Sequence, residues 1–208
     1  PLVTQWAQNG TGTGAELDGP VMADGLLFST SEDGYIRARD PYTGDVLWER
    51  MLCGEYYYTG TPAVDGGVVY ATFYGPSGGY VYALDELTGN EIWSVGSSSG
   101  LDFNARVQMA ARDGLVYGAA WNGYVYALDE SNGSVVWNYS TGGMAYGGVA
   151  IGGGWAFVGS LDGYLYAFDK DTGALQWSTF LEPGEITSAP LYAQGNIYVG
   201  NEMGSMFA

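Results

Sequence analysis

Gly163-Tyr164-Leu165-Tyr166-Ala167-Phe168-Asp169-Lys170-Asp171-Thr172-Gly173-Ala174-Leu175-Gln176-Trp177 is the stretch that decides how the whole chain is read. Its first half alternates: Leu165 and Ala167 fall on one side of an extended strand, and Tyr164, Tyr166 and Phe168 on the other. Asp169 then brings a short acceptor side chain to the amides of a turn, which Gly173 closes because glycine is free to take positive φ. A second strand at 174–180 carries Trp177. The stretch predicts a β-hairpin.

The hairpin recurs along the chain. Gly34-Tyr35-Ile36-Arg37-Ala38-Arg39-Asp40 leads through Thr43-Gly44 to Trp48, and Gly79-Tyr80-Val81-Tyr82-Ala83-Leu84-Asp85 leads through Thr88-Gly89 to Trp93. Gly123-Tyr124-Val125-Tyr126-Ala127-Leu128-Asp129 leads through Asn132-Gly133 to Trp137. Gly204-Ser205-Met206-Phe207-Ala208 opens the same strand, and Leu2-Val3-Thr4-Gln5-Trp6 resembles the closing one. Trp6, Trp48, Trp93, Trp137 and Trp177 are 42, 45, 44 and 40 residues apart. A period in that range, built from four short strands, is the signature of a propeller blade.

The motif Ala-x-Asp-x-x-Thr-Gly-x-x-x-Trp resembles the tryptophan-docking motif of the PQQ-like (pyrroloquinoline-quinone-like) β-propeller repeat family. The resemblance covers nearly the whole chain and holds in four complete copies, with Asn132 standing for Thr in one. It implies that Trp6, Trp48, Trp93, Trp137 and Trp177 tie each blade to its neighbour and have no catalytic role. The expected fold is an all-β propeller of four-stranded antiparallel blades in a single domain, 1–208. Five blades are expected, at 20–51, 61–96, 107–140, 148–180, and 189–208 completed by 1–8. The alternative is a fragment of a seven- or eight-bladed propeller.

Composition agrees with this reading. Hydrophobic residues make up 47% of the chain and aromatics 15%, ample for a core, while 35 glycines suit a fold of many tight turns. No apolar run approaches the ~20 residues of a membrane helix, so membrane insertion is not expected. Pro1 is not a native start, so a mature form or a domain of something longer is expected.

The single cysteine, Cys53, excludes an internal disulfide framework and reads as a plain, partly buried thiol. Histidine is absent, which removes the commonest general base and metal ligand. The net charge of −17, from 23 acidic and 6 basic side chains, repels nucleic acid. An acidic surface with Lys170 as its only lysine suits an extracellular or cell-surface protein, with the periplasm as the alternative.

Each repeat divides into inner, second, third and outer strands. Inner strands are expected at 20–23, 61–64, 107–111, 148–151 and 189–192, and no helix is expected. The linkers 9–19, 52–60, 97–105, 141–147 and 181–188 differ in sequence while the blades repeat, as variable loops on a rigid scaffold do. They share one face with the shorter loops 31–33, 74–78, 121–122, 161–162 and 201–203. That face gathers acids (Glu16, Asp18, Glu32, Asp33, Glu55, Asp102, Asp162, Glu182, Glu185, Glu202), with Arg106 as the one cation beside them. The candidate ligand-binding residues there are Glu55, Tyr56, Tyr57, Tyr58, Asp102, Phe103, Trp121 and Tyr146. Tyr and Trp offer apolar faces with a polar tip, and the carboxylates accept hydrogen bonds or pair with cations.

Catalytic chemistry finds little support. The resemblance brings quinone dehydrogenases into view, but quinone-binding relatives are much longer and many carry an adjacent cysteine pair. A dehydrogenase fragment is therefore the least favoured reading. No spacing selects a carboxylate pair for glycoside hydrolysis. Calcium remains open because the loops are rich in oxygen ligands, although Ser31-Glu32-Asp33-Gly34 lacks the alternating spacing of a dedicated calcium loop. No other cofactor is expected. Asn9, Asn132 and Asn138 begin Asn-x-Ser/Thr sequons, with Asn9 and Asn132 the better acceptors. The favoured function is a non-enzymatic binding or scaffold module that presents the loop face to a protein or glycan, with a sugar-binding lectin-like propeller as the alternative. The sequence leaves the oligomeric state open.

Overall fold

A computed structural model describes residues 19–54, 58–76, 78–99, 101, 103, 108–145, 147–181 and 184–208. The described chain is all-β apart from one 3-10 turn at Ser97–Ser99. Nineteen strands form five antiparallel sheets, each a meander in sequence order. The first blade contains β1 (Val21–Ala23), β2 (Leu26–Thr30), β3 (Tyr35–Arg39) and β4 (Val46–Met51). The second contains β5 (Ala63–Asp65), β6 (Val68–Gly75), β7 (Gly78–Asp85) and β8 (Glu91–Gly96). The third contains β9 (Ala110–Arg112), β10 (Leu115–Ala119), β11 (Tyr124–Asp129) and β12 (Val135–Ser140). The fourth contains β13 (Val149–Gly152), β14 (Trp155–Gly159), β15 (Tyr164–Asp169) and β16 (Leu175–Phe180). The fifth has three strands, β17 (Leu191–Ala193), β18 (Asn196–Gly200) and β19 (Met206–Phe207). Residues 1–8, expected to complete it, lie outside the described residues.

The inner strands start one to three residues later than the sequence suggests. Pro20, Pro62 and Pro190 stand immediately before β1, β5 and β17. A proline has no N–H for the ladder, so pairing begins just after it. The inner strands touch in the order β1, β5, β9, β13, β17, which sets the sheets side by side around a common axis.

Each second-to-third hairpin brings the chain to the loop face, and each third-to-fourth turn to the opposite one. The opposite-face turns are nearly identical. The Asp40 carboxylate accepts from the amides of Tyr42 (2.8 Å) and Thr43 (2.9 Å), and Asp85 and Asp169 repeat the pattern with Thr88 and Thr172. The glycine amides of Gly44, Gly89, Gly133 and Gly173 return to the Asp carbonyls at 2.8–2.9 Å. Hydrogen bonds to the ionised carboxylate, from the Thr88, Ser131 and Thr172 hydroxyls and then the turn amides, and at Asp40 from the Thr43 and Tyr42 amides, hold the Asp40, Asp85, Asp129 and Asp169 carboxyls below their ordinary value. A register shift follows in every complete sheet, at Ala38/Arg39, Ala83/Leu84, Ala127/Leu128 and Ala167/Phe168. The bulge it marks bends and twists the outer strand.

The outer strands carry the tryptophans onto the next blade. The indole N–H groups of Trp48, Trp93 and Trp137 donate to the carbonyls of Glu86, Glu130 and Lys170, each at 2.8 Å. Their rings lie on Gly89, Gly133 and Gly173, where an added Cβ would sit 2.5–2.7 Å from the indole. Glycine is required twice at these positions, by this close approach and by φ of +70° to +74°. Trp177 differs. It is 37% exposed, and no Asp-x-x-Thr-Gly turn lies against it among the described residues.

The core is therefore distributed between sheets. Phe28, Ile36 and Ala38 meet Val69, Phe73 and Leu84 at the first junction. Tyr70, Val81 and Trp93 meet Val116, Tyr126 and Leu128 at the second. Tyr117, Val125 and Trp137 meet Val158, Tyr166 and Phe168 at the third. Leu165 meets Ile186 and Val199 at the fourth.

Candidate functional site

The loop face is where the blades cease to be copies of one another. The residue before each Gly-Tyr (or Gly-Ser) pair shows how. In the first blade Asp33 accepts from Arg37 Nη2 at 2.6 Å. In the third, Asn122 donates to Tyr126 Oη at 3.1 Å, and in the fourth Asp162 accepts from Tyr166 Oη at 2.6 Å. Each side chain also caps its own turn, accepting from the amide of Tyr35, Tyr124 or Tyr164. A polar plug thus fills the top of these three blades.

The second blade has Gly78 in that position and no plug. Its Tyr82 hydroxyl instead donates across to the carbonyl of Leu52 at 3.1 Å. Burial, followed by the nearby Cys53 and Glu91, pushes the Tyr82 phenol up to about 12, so it stays a donor at any ordinary pH. The hairpin is also longer here. Residues 74–78, expected as a loop, are largely strand: Phe73 pairs with Tyr80, Tyr74 with Gly79 and Gly75 with Gly78. Pairing continues because this longer hairpin brings Tyr74 and Gly75 opposite Gly79 and Gly78, residues that fit a ladder.

The missing plug and the taller hairpin leave a cleft of about 630 Å³ between the first and second blades. Such a volume lies within the ~300–1,000 Å³ range of ligand sites. Phe73, Tyr80 and Tyr82 give it an aromatic wall, and Leu52, Cys53, Gly54, Gly75, Pro76 and Gly78 complete the described lining. Phe73 and Tyr82 meet edge to face at 6.2 Å, and Tyr80 lies 6.1 Å from Tyr82. No charged side chain is among these lining residues. Reading the repeats as equivalent strands hid this site; the signal was the substitution of Gly78 for Asp or Asn.

On the other side of the first blade, away from the cleft, Arg37 lies between Asp33 and Glu49 (2.6 and 3.1 Å) and over the Tyr35 ring at 4.8 Å. Burial alone raises the Asp33 carboxyl, but the hydrogen bonds from Arg37 and Ser31 outweigh it and leave the group below its ordinary value. This cluster is internally neutralised and rigid.

The expected ligand-binding residues separate. Tyr58 and Trp121 come together at 6.4 Å, with Tyr58 43% exposed and Trp121 half-buried against the core of the second junction. Phe103 is fully buried: it packs on Tyr126 at 5.1 Å and approaches Gly79 and Gly118, where glycine leaves the necessary space. It belongs to the core of that junction. Glu55, Tyr56, Tyr57, Asp102 and Tyr146 lie outside the described residues, as does Trp6. A second, smaller cleft of about 310 Å³ lies between Trp177, Phe157 and Tyr192 at the fourth junction. No group of three or more metal-ligating side chains converges among the described residues. No helix among them is long and apolar enough to cross a membrane.

Known proteins match this architecture. No curated protein matches the sequence. The chain is similar in structure to BamB from Moraxella catarrhalis, with 23% identity and a TM-score of 0.74 over 93% of this chain and 58% of that one. It is similar to the computationally designed protein Ika8, at 18% identity and TM-score 0.73 over 90% of this chain and 56% of that one. The designed Ika4 matches 70% of this chain and 86% of its own, at 18% identity and TM-score 0.60. The chain thus spans little more than half the length of BamB or Ika8. The family model described as outer membrane protein assembly factor BamB matches residues 3–147 and 121–208, and the chain belongs to that family of PQQ-like repeat β-propellers.

Proposed function

We propose that the chain is a non-enzymatic protein-binding module that works outside the cytoplasm, at the cell surface or in the periplasm, and presents its loop face to a partner. The observation that carries this reading is the asymmetry of the two faces. The Asp-x-x-Thr-Gly face repeats the same hydrogen bonds in four blades, whereas on the loop face the second blade departs from the hairpin shared by the others, the side chains at the hairpin tips change from blade to blade, and the larger cleft opens there. Rigid scaffolds put their specificity in such variable loops. The family description, an outer membrane protein assembly factor, supports a partner that is a protein and a location in the envelope.

The test is site-specific photocrosslinking in cells. Benzoylphenylalanine replaces Tyr58 or Met203 on the loop face, and Tyr42 or Leu87 on the opposite face; all four positions are exposed. Defined protein adducts from the loop-face positions, with none from Tyr42 or Leu87, are expected. Adducts of equal yield from both faces, or from neither, overturn the proposal. Retention on a glycan array with no protein adduct replaces it with sugar binding.

A further inference from the structure

The cleft between the first two blades has a chemistry of its own, and this inference rests on the protein-binding reading above. We propose that it is an anchor pocket for one aromatic side chain of a partner segment whose flanking residues are basic.

The walls decide the buried part of the ligand. Phe73, Tyr80 and Tyr82 offer ring faces and edges, and Leu52 completes an apolar lining. A charge buried there without a partner would cost several kcal/mol, so the inserted group is neutral. Polar partners among the described lining residues are few. Tyr82 already donates its proton to Leu52, and the other side-chain groups are the Tyr80 hydroxyl and the Cys53 thiol. A hexose would carry several hydroxyls into the cleft and leave most unpaired, each at a cost of about 1–3 kcal/mol. An aromatic ring leaves none unpaired and gains edge-to-face contacts of the kind Phe73 and Tyr82 already make. Aromatic side chains inserted in a desolvated pocket are the usual centre of a protein interface.

The surroundings decide the flanks. The chain carries a net charge of −17, and its sole lysine is tied to Asp113 and Asp171 on the opposite face. A field of that sign favours cationic residues on either side of the anchor and disfavours acidic ones. Asp33, Asn122 and Asp162 plug the corresponding position of three other blades, so the inserted side chain distinguishes the second blade from those three along the loop face.

Cys53 lines the cleft and is the only cysteine, so its rate of alkylation by N-ethylmaleimide reports occupancy at one defined place. The peptide acetyl-Lys-Trp-Lys-amide is expected to slow that reaction about threefold at a concentration of about twice its Kd. Acetyl-Lys-Ala-Lys-amide is expected to leave it unchanged, and protection by the Trp peptide is expected to weaken as salt rises from ~20 mM to ~0.5 M. Gly54→Phe supplies the blocking variant. Gly54 lines the cleft and has no described atom within 4 Å of an added Cβ and no left-handed backbone, so a large side chain is tolerated there and its ring is expected to enter the cleft. Trp-peptide binding, followed by calorimetry, is then expected to disappear. Equal protection by the Ala and Trp peptides, or undiminished binding to Gly54→Phe, overturns the anchor. Protection by methyl glucoside without protection by the Trp peptide makes the site saccharide-binding. Loop-face photocrosslinks that persist in Gly54→Phe remove the anchor and keep the protein-binding module. Protection of Cys53 by the Trp peptide without any photocrosslink does the reverse.

Discussion

At the scale of single residues, Glu86 is a carboxyl whose ionised form is disfavoured by its surroundings. It sits at the junction of the first two blades, 7% exposed, and its Oε2 is buried with no hydrogen-bond partner among the described residues. The equivalent Glu130, one blade on, accepts from the Tyr70 hydroxyl at 2.7 Å. At the first junction the residue corresponding to Tyr70 is Phe28, packed on Trp48 as Tyr70 is on Trp93, and it has no hydroxyl to offer. Burial, then repulsion from Asp24 and Asp85, raises the Glu86 carboxyl above its ordinary 4.5. The nearby Arg50 is turned instead to the Gly89 carbonyl and Glu91. Because the folded value lies above the unfolded one, protonated Glu86 favours folding. That contribution is complete below about pH 4.5 and is lost as pH rises through the folded value. Two outcomes follow. Glu86→Gln is expected to melt above the parent at pH 7, with the difference vanishing toward pH 4 in parallel melts. Phe28→Tyr restores the missing donor and is expected to add ~1 kcal/mol, a rise of roughly 2–4 °C for a chain of this size. A Phe28→Tyr protein that melts at or below the parent temperature would show that the carboxylate is satisfied some other way.

At the scale of the element, the blade junction is a repeated lock: indole on glycine, indole N–H on a carbonyl, Asp-capped turn behind it. Trp93→Ala removes a 9%-exposed ring and its 2.8 Å bond to Glu130. The expected cost is ~3–5 kcal/mol, against a total stability of ~5–15 kcal/mol. Trp177→Ala removes a ring that is already 37% exposed, so its loss in urea unfolding is expected to be well under half as large. Equal losses at the two positions would show that the turn and its glycine add nothing to the lock. This lock was legible in the sequence, since Asp, Thr-Gly and Trp recur at fixed spacing and each has one physical use. The inner strands were legible only to within a few residues, because where pairing starts depends on which residue after the proline first finds a partner. Phe103 was read as a loop aromatic, yet it is buried; nothing local announces that Gly79 and Gly118, distant in sequence, open the space it fills. The cleft was missed for the converse reason. The sequence shows that Gly78 differs from Asp33, Asn122 and Asp162, but the difference gains meaning only once those three side chains are seen as plugs.

For the whole molecule, charge acts on stability and on binding with opposite signs. Twenty-three acids face six bases, and several of the bases are committed to local pairs: Arg37 with Asp33 and Glu49, Arg50 with Glu91, and Lys170 with Asp113 and Asp171. Folding gathers the remaining negative charges onto one surface, and the self-repulsion destabilises the compact state. Salt shortens the reach of that repulsion from ~30 Å at 0.01 M to ~10 Å at 0.1 M. It also weakens the ion pairs, but exposed pairs contribute only ~0–1 kcal/mol each, and the better-buried Arg37–Asp33 pair is screened least. Repulsion therefore wins, and the melting temperature is expected to rise with sodium chloride across that range. Capture of a basic partner is expected to fall over the same range, because the attraction that guides it crosses open solvent. Measuring both on one preparation separates the two effects, since aggregation or unfolding at low salt would lower stability and binding together. A melting temperature that falls with added salt would mean that the local pairs, rather than the net charge of −17, govern the stability of the folded chain.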